Sequence, residues 1–152
     1  MKLEFYTRVN LLGTYLLICF LILTALPLLT YFSHISDSLI RSLIYIGSSG
    51  GIGGVIYCMR GFYQNLVDKK FDLIWTWWYI LRPFMSVGIG IFVYLFIVGG
   101  LLSVGSVSEV NYSKSVMFYC AVSFLAGFSF TQFASKLEEL ASTFFAKKEN
   151  NK

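Results

Sequence analysis

The sequence predicts an all-α membrane protein: a four-helix transmembrane bundle with a cytoplasmic interfacial segment and a C-terminal amphipathic helix. Three observations predict it. Hydrophobic residues make up 57% of the 152 residues and charged residues only 13%, and the mean hydropathy is +0.70, a composition foreign to soluble domains. The charges are also segregated. Residues 9–33, 42–59, 83–108 and 115–135 carry none, and each run is near or above the roughly 18 residues that indicate a spanning helix. These runs lack the alternating polar pattern of a barrel strand, so helices are the remaining way to satisfy backbone N–H and C=O groups in lipid. Spans are expected at about 9–32, 39–59, 83–102 and 115–135.

The third observation is the placement of Lys and Arg in the connections. Lys2, Arg8, Arg60, Lys69, Lys70, Arg82, Lys136, Lys147, Lys148 and Lys152 fall on one side of such an arrangement, and only Arg41 and Lys114 on the other. Positive residues are retained in the cytoplasm. Both termini are therefore expected to be cytoplasmic, in a bacterial inner membrane. Topology alone accounts for the net charge of +4, which calls for no nucleic-acid partner.

The first apolar segment, 11–32, follows Lys2 and Arg8 as a signal peptide would, but it exceeds a secretory h-region of roughly 7–15 residues. It also contains Pro27 and no small-x-small cleavage site. It is expected to remain as a span. In the short connection that follows, His34 is the one histidine and has Asp37 three residues away, which reads as a surface pair.

The second span contains IGSSGGIGGVIYCMRG, with Gly47, Gly50, Gly51, Gly53 and Gly54 close together. Each interior glycine costs a helix about 1 kcal/mol relative to alanine, so five of them need a physical reason. Gly47 and Gly51 are four apart, as are Gly50 and Gly54, and as are Ser49 and Gly53. Small residues at that spacing let helix backbones approach closely in lipid. The third span repeats the device with Ser86 and Gly90, and the fourth with Ser123 and Gly127. Packing within one chain, a subunit interface in a homo-oligomer, and a pore lining all fit this pattern. A nucleotide-binding GxGxxG does not, because the glycines lie in a span rather than in a strand-turn-helix unit.

Between the second and third spans, WTWWYILRPF crowds Trp75, Trp77, Trp78, Tyr79, Arg82 and Pro83 together. Tryptophan and tyrosine favour the headgroup level, and Lys69, Lys70 and Asp72 mark the cytoplasmic side. The spacing of Ile74, Trp77, Trp78 and Leu81 allows a short interfacial helix. Proline disfavours α geometry in the residue before it and suits the first turn of a helix. A bend at Arg82 is therefore expected, with the third helix starting at Pro83. That would put a guanidinium where the helix dipole opposes it, so stacking on Trp78 or Tyr79, a lipid phosphate or Asp72 should compensate. Arg60, Lys69, Lys70, Trp75, Trp78, Tyr79 and Arg82 are candidates for contact with lipid or a partner.

After the fourth span, Phe133, Leu137, Leu140 and Phe144 recur at spacings of four, three and four. That is the stripe of an amphipathic helix, expected over 136–146 as a continuation or resumption of the fourth helix, with 147–152 as a tail. It suits the membrane interface, the second loop or a protein partner.

Chemistry is sparse. Cys19, Cys58 and Cys120 fall in three different spans without metal-ligand or disulfide spacing, and no cofactor is implied. The adjacent Glu138 and Glu139 do not share a helix face. No charge lies within the four runs, which argues against an ion-coupled carrier. A passive pore needs no such charge. A non-enzymatic protein is expected.

The chain resembles a group of bacterial four-helix membrane proteins whose second loop ends in W-x-x-WY-x-x-RP, matched here by Trp75, Trp78, Tyr79, Arg82 and Pro83, with Tyr94 and Gly99-Gly100 downstream. Their last helix runs through G-F-S into a K-L segment ending in paired aromatics, similar to Gly127, Phe128, Ser129, Lys136, Leu137, Phe144 and Phe145. The resemblance covers about 50–146 and lacks the group's acidic residue shortly after the serine. It implies an association with conflict or phage-defence genes. The expected function is a self-associating inner-membrane protein that presents its cytoplasmic face to a protein partner. The alternatives are a small oligomeric pore and a lipid- or small-ligand-binding bundle.

Overall fold

Side chains that no single amphipathic face can accommodate, apolar all round α1 and small along α2, are resolved in the computed structural model by sorting the helices into outer and central ones. The structure describes residues 2–33, 37–68, 75–99 and 112–145, which form five helices and, among the described residues, no strand. They are α1 (Lys2–Phe32), α2 (Ser38–Val67), α3 (Thr76–Val98), α4 (Tyr112–Phe128) and α5 (Phe130–Phe145). The first three are long and apolar enough to cross a membrane, and α4 with α5, bent by 99° at their junction, makes a fourth candidate if the pair is taken as one span.

Helix α2 is the hub, touching α1, α3 and α4. Half of its apolar window is buried, against 17% of that of α1, so α1 turns most of its surface outward. Asp37 caps α2, its carboxylate accepting from Leu39 N at 3.1 Å. Directions alternate along the chain. Leu12 and Leu16 of α1 meet Cys58 near the far end of α2 and Tyr79 near the start of α3, while Tyr94 of α3 stacks edge-on with Tyr119 of α4 at 5.2 Å. Arg8, Arg60 and Arg82 consequently share one end of the bundle with all three tryptophans, referred to below as the basic end.

Several boundaries differ from the sequence expectation, for one physical reason. Charges mark where a membrane border should lie, but a hydrogen-bonded helix does not have to stop there. Helix α1 starts at Lys2 rather than 9, and α2 runs past Arg60 to Val67 rather than ending at 59, closing where Asp68 N donates to Gln64 O at 3.0 Å. Helix α3 ends at Val98 rather than 102. Pro83 lies inside α3, so the expected bend at Arg82 and fresh start at Pro83 are corrected: the aromatic segment forms the first turns of α3 itself. Proline deletes the bond to the carbonyl four residues back, but neighbouring helices can support the disturbed turn. Here Tyr15 of α1 donates its hydroxyl at 3.0 Å to Ile80 O, one residue after the carbonyl that Pro83 has no N–H to meet. The fourth helix stops at Phe128 instead of 135, and residues 130–135 belong to α5, so the amphipathic helix starts earlier than 136. His34, Lys69, Lys70, Asp72 and the tail 147–152 lie outside the described residues.

The small residues of α2, α3 and α4 meet at one point. A Cβ added to Gly50 would lie 2.8 Å from Ser123 Oγ, 2.8 Å from Ser86 O and 2.9 Å from Gly90 Cα. One on Gly127 would overlap Gly50 O, and one on Gly54 would overlap the Ser86 side chain. Gly51 faces elsewhere, with Val87 Cγ2 at 2.6 Å and Leu23 at 3.0 Å from such a Cβ, and Gly47 has ordinary clearance from Ile91 and Val87. Gly53 abuts the α4 backbone at Phe124 O. Close approach lets hydroxyls reach across to main-chain carbonyls. Ser123 donates to Ile46 O and Ser49 to Cys120 O, both at 2.7 Å. Ser123 is fully buried; replacing it by alanine is expected to cost about 0.6–1.7 kcal/mol, measured as a shift in the unfolding midpoint in detergent.

Candidate functional site

The basic end holds the one feature that folding does not explain. Arg82 lies in the second turn of α3, and its direction on the helix points it at α2 and α5 rather than outward. Its side chain is 1% exposed, the largest fully buried side chain of the described residues. The guanidinium carbon sits 4.1 Å from the ring centre of Tyr57 on α2, 5.1 Å from Trp78 one turn earlier on α3, and 4.9 Å from Phe130, the first residue of α5. Nε, Nη1 and Nη2 find no hydrogen-bond acceptor among the described residues.

Magnitudes show why this is unusual. A desolvated cation–π contact stabilises by about 2 kcal/mol or somewhat more, so three rings can offset several kcal/mol of the cost of burying the charge. They do nothing for the direction of the N–H bonds. Arginine carries five such donors, and each buried donor left unmet costs about 1–3 kcal/mol. The cage accommodates the charge, and no described residue makes its hydrogen bonds. The dipole objection raised by the sequence is smaller than expected, since Arg82 lies beyond the first turn of α3, where that effect fades.

Two of the caging rings, Tyr57 and Trp78, also form the wall of a pocket of about 580 Å³. Its α2 side carries Cys58, Arg60, Gln64 and Asn65, and its α3 side Trp75 and Tyr79. This wall exists because α2 continues beyond Arg60. Asn65 Nδ2 donates to the Tyr79 hydroxyl at 2.9 Å, and Phe62 meets the Tyr79 ring edge-on at 6.2 Å, so the protruding turns of α2 are pinned to α3. No acidic side chain lines the pocket among the described residues.

Of the residues singled out from sequence, Arg60, Trp75, Trp78, Tyr79 and Arg82 are brought together here. Trp78 stacks on Arg82 as expected, whereas Tyr79 turns to Asn65 instead. Tyr57, Cys58 and Phe130 were missed. Tyr57 and Cys58 lie on α2 and Phe130 on α5, and no spacing in the chain announces that 57, 82 and 130 share a site.

The amphipathic stripe is separate. Phe133, Leu137 and Leu140 are half-buried on α5, and Phe144 lies in its last turn with its side chain outside the described residues. Phe133 and Leu140 face Val93, Val122, Leu125 and Ala126 across a mainly apolar groove of about 660 Å³ in the angle between α4 and α5. At the exposed edge of the same groove Lys136 donates to Glu139 at 2.6 Å, which holds the Glu139 carboxyl below its usual range. Both ends of that pair are exposed, so it orders the surface without adding much stability. The link from α5 to the Arg82 cage is Phe130, which also meets Trp78 edge-on at 6.2 Å. No family model, curated protein or solved structure matches the chain.

Proposed function

We propose that the chain is a non-enzymatic, multi-pass protein of the bacterial inner membrane, both termini cytoplasmic, that works through its basic end by presenting α5 to a protein partner. The observation that carries this reading is the 99° turn between α4 and α5. A helix lying across the end of a bundle of spans sits in the membrane surface, apolar face to the lipid and polar face to the cytoplasm. The excess of Lys and Arg on that side supports its cytoplasmic orientation. The resemblance to four-helix proteins that accompany conflict genes makes a defence complex the setting we favour.

A pore lined by the α2 glycines is the weaker reading, because Gly50, Gly53 and Gly54 are already filled from α3 and α4 of the same chain. Self-association would have to use another surface. A photo-crosslinking residue placed at Glu138 or Ser142, exposed on the polar face of α5, is expected in cells to give a discrete protein adduct, with one at Leu21, exposed on α1, giving lipid adducts alone. An adduct of twice the chain's mass identifies a second copy. Lipid adducts at all three positions overturn the reading.

A further inference from the structure

We propose that Arg82 and the pocket above it form a binding site for a phosphate group, with Arg82 as its principal cation. Three independent features point to it. The first is the guanidinium itself, 99% buried and with all three nitrogens unpartnered among the described residues. A planar fork of donors matches a phosphate bidentately, and such an anion would supply what the aromatic cage lacks. The second is the pocket, which adds a second cation, Arg60, and the amides of Gln64 and Asn65, with no carboxylate in its lining. Its volume of about 580 Å³ is that of a small-ligand site. The third is depth. From Ser38, beside the Asp37 cap, to Tyr57, α2 rises about 30 Å, the thickness of a hydrocarbon core. Tyr57 touches Arg82, so in the membrane orientation proposed above, with the Asp37 cap at the far border, the guanidinium lies at the level of the headgroup phosphates on the basic side.

Tyr57 and Trp78 stand between the guanidinium and the pocket. Arg82 itself is not in the pocket's lining, so a phosphate that reaches it must displace the ring of Trp78, which is only half-buried, while Tyr57 and Phe130 hold the cation. Occupancy therefore changes the surroundings of Trp78, and all three tryptophans of the chain lie at this end, so intrinsic fluorescence reports on it. The site belongs to the α2–α3 wall and does not depend on α5 having a partner.

The test uses the full-length protein in dioleoylphosphatidylcholine nanodiscs, titrated either by raising the share of dioleoylphosphatidylglycerol or by adding inorganic pyrophosphate. The wild type is expected to show a saturable change in tryptophan emission with at least one probe. Response to the lipid alone identifies a headgroup as the source, and response to pyrophosphate a soluble phosphate compound. Arg82→Met, uncharged and checked for folding by its helical melt, is expected to bind at least about tenfold more weakly, the worth of a charge-assisted bond. Arg60→Gln, at an exposed position and so safe for folding, should weaken binding about threefold. Wild-type affinity in Arg82→Met, or no response of the wild type to either probe, overturns the proposal.

Discussion

Gly50→Leu is expected to abolish the folded bundle, whereas Gly88→Leu in the neighbouring helix leaves it intact. A side chain at Gly50 meets Ser123 Oγ, Ser86 O and Gly90 Cα, all within 3 Å of its first carbon, and two of those three contacts are main chain. Overpacking a core by flexible side chains costs about 1–3 kcal/mol. Backbone cannot rotate out of the way, so here α3 and α4 must both retreat from α2, and the Ser123 bond to Ile46 O goes with them. The expected loss is above about 3 kcal/mol. A Cβ at Gly88 meets nothing within 4 Å, and leucine in place of glycine favours the helix by somewhat under 1 kcal/mol. Size-exclusion profiles and thermal melts of the two variants, purified side by side in mild detergent, decide the matter. Equal behaviour would mean that the three-helix contact is not what holds the bundle together.

Arg82→Met is expected to make the ligand-free protein more stable, by about 1–4 kcal/mol, the range seen when buried ionic groups give way to apolar ones of similar volume. Methionine fills part of the space between Tyr57, Trp78 and Phe130 and removes a guanidinium whose three nitrogens find no acceptor among the described residues. Arg82→Ala should do the opposite, since it leaves the cage empty and a buried cavity costs roughly 2–5 kcal/mol at sites of this size. The pair of melts separates charge from volume. A fall in stability with methionine would show that a carboxylate of the chain itself, with Asp72 the first candidate, pairs with the guanidinium. Residues that cost stability yet persist in a fold are the ones associated with function, and Arg82 would then be the clearest such residue in this chain.

How far the sequence could be read depended on whether a property is local. The apolar runs, the side on which Arg8, Arg60 and Arg82 gather and the stripe of Phe133, Leu137 and Leu140 are all properties of neighbours in the chain, and they lead to helices where the structure has them. The four-residue spacing of Gly50 with Gly54 and of Ser123 with Gly127 gave the packing faces, because close approach needs small residues at each turn. Helix ends were read poorly. Arg60 looked like the end of α2, yet the eight-residue overhang to Val67 builds one wall of the pocket. Pro83 looked like a start, and the Tyr15 hydroxyl that supports the turn comes from sixty-five residues earlier. The break at Ser129 has no proline or charge to signal it. The Arg82 cage was half legible: Trp78 is one helical turn away, while Tyr57 and Phe130 arrive only through packing.

Three of the polar links between helices share a direction. Ser49, Ser123 and Tyr15 each donate from a side chain, and Cys120, Ile46 and Ile80 each accept with the main chain. An accepting carbonyl is present whatever the residue, so the two halves of each link differ in their freedom to vary. Cys120 and Ile80, only partly buried, can drift among apolar residues without breaking a bond, while their donors are fixed by a single oxygen. Substitution in related chains should therefore be one-sided across each helix pair, and a search for paired changes between contacting positions would overlook the contacts that orient this bundle.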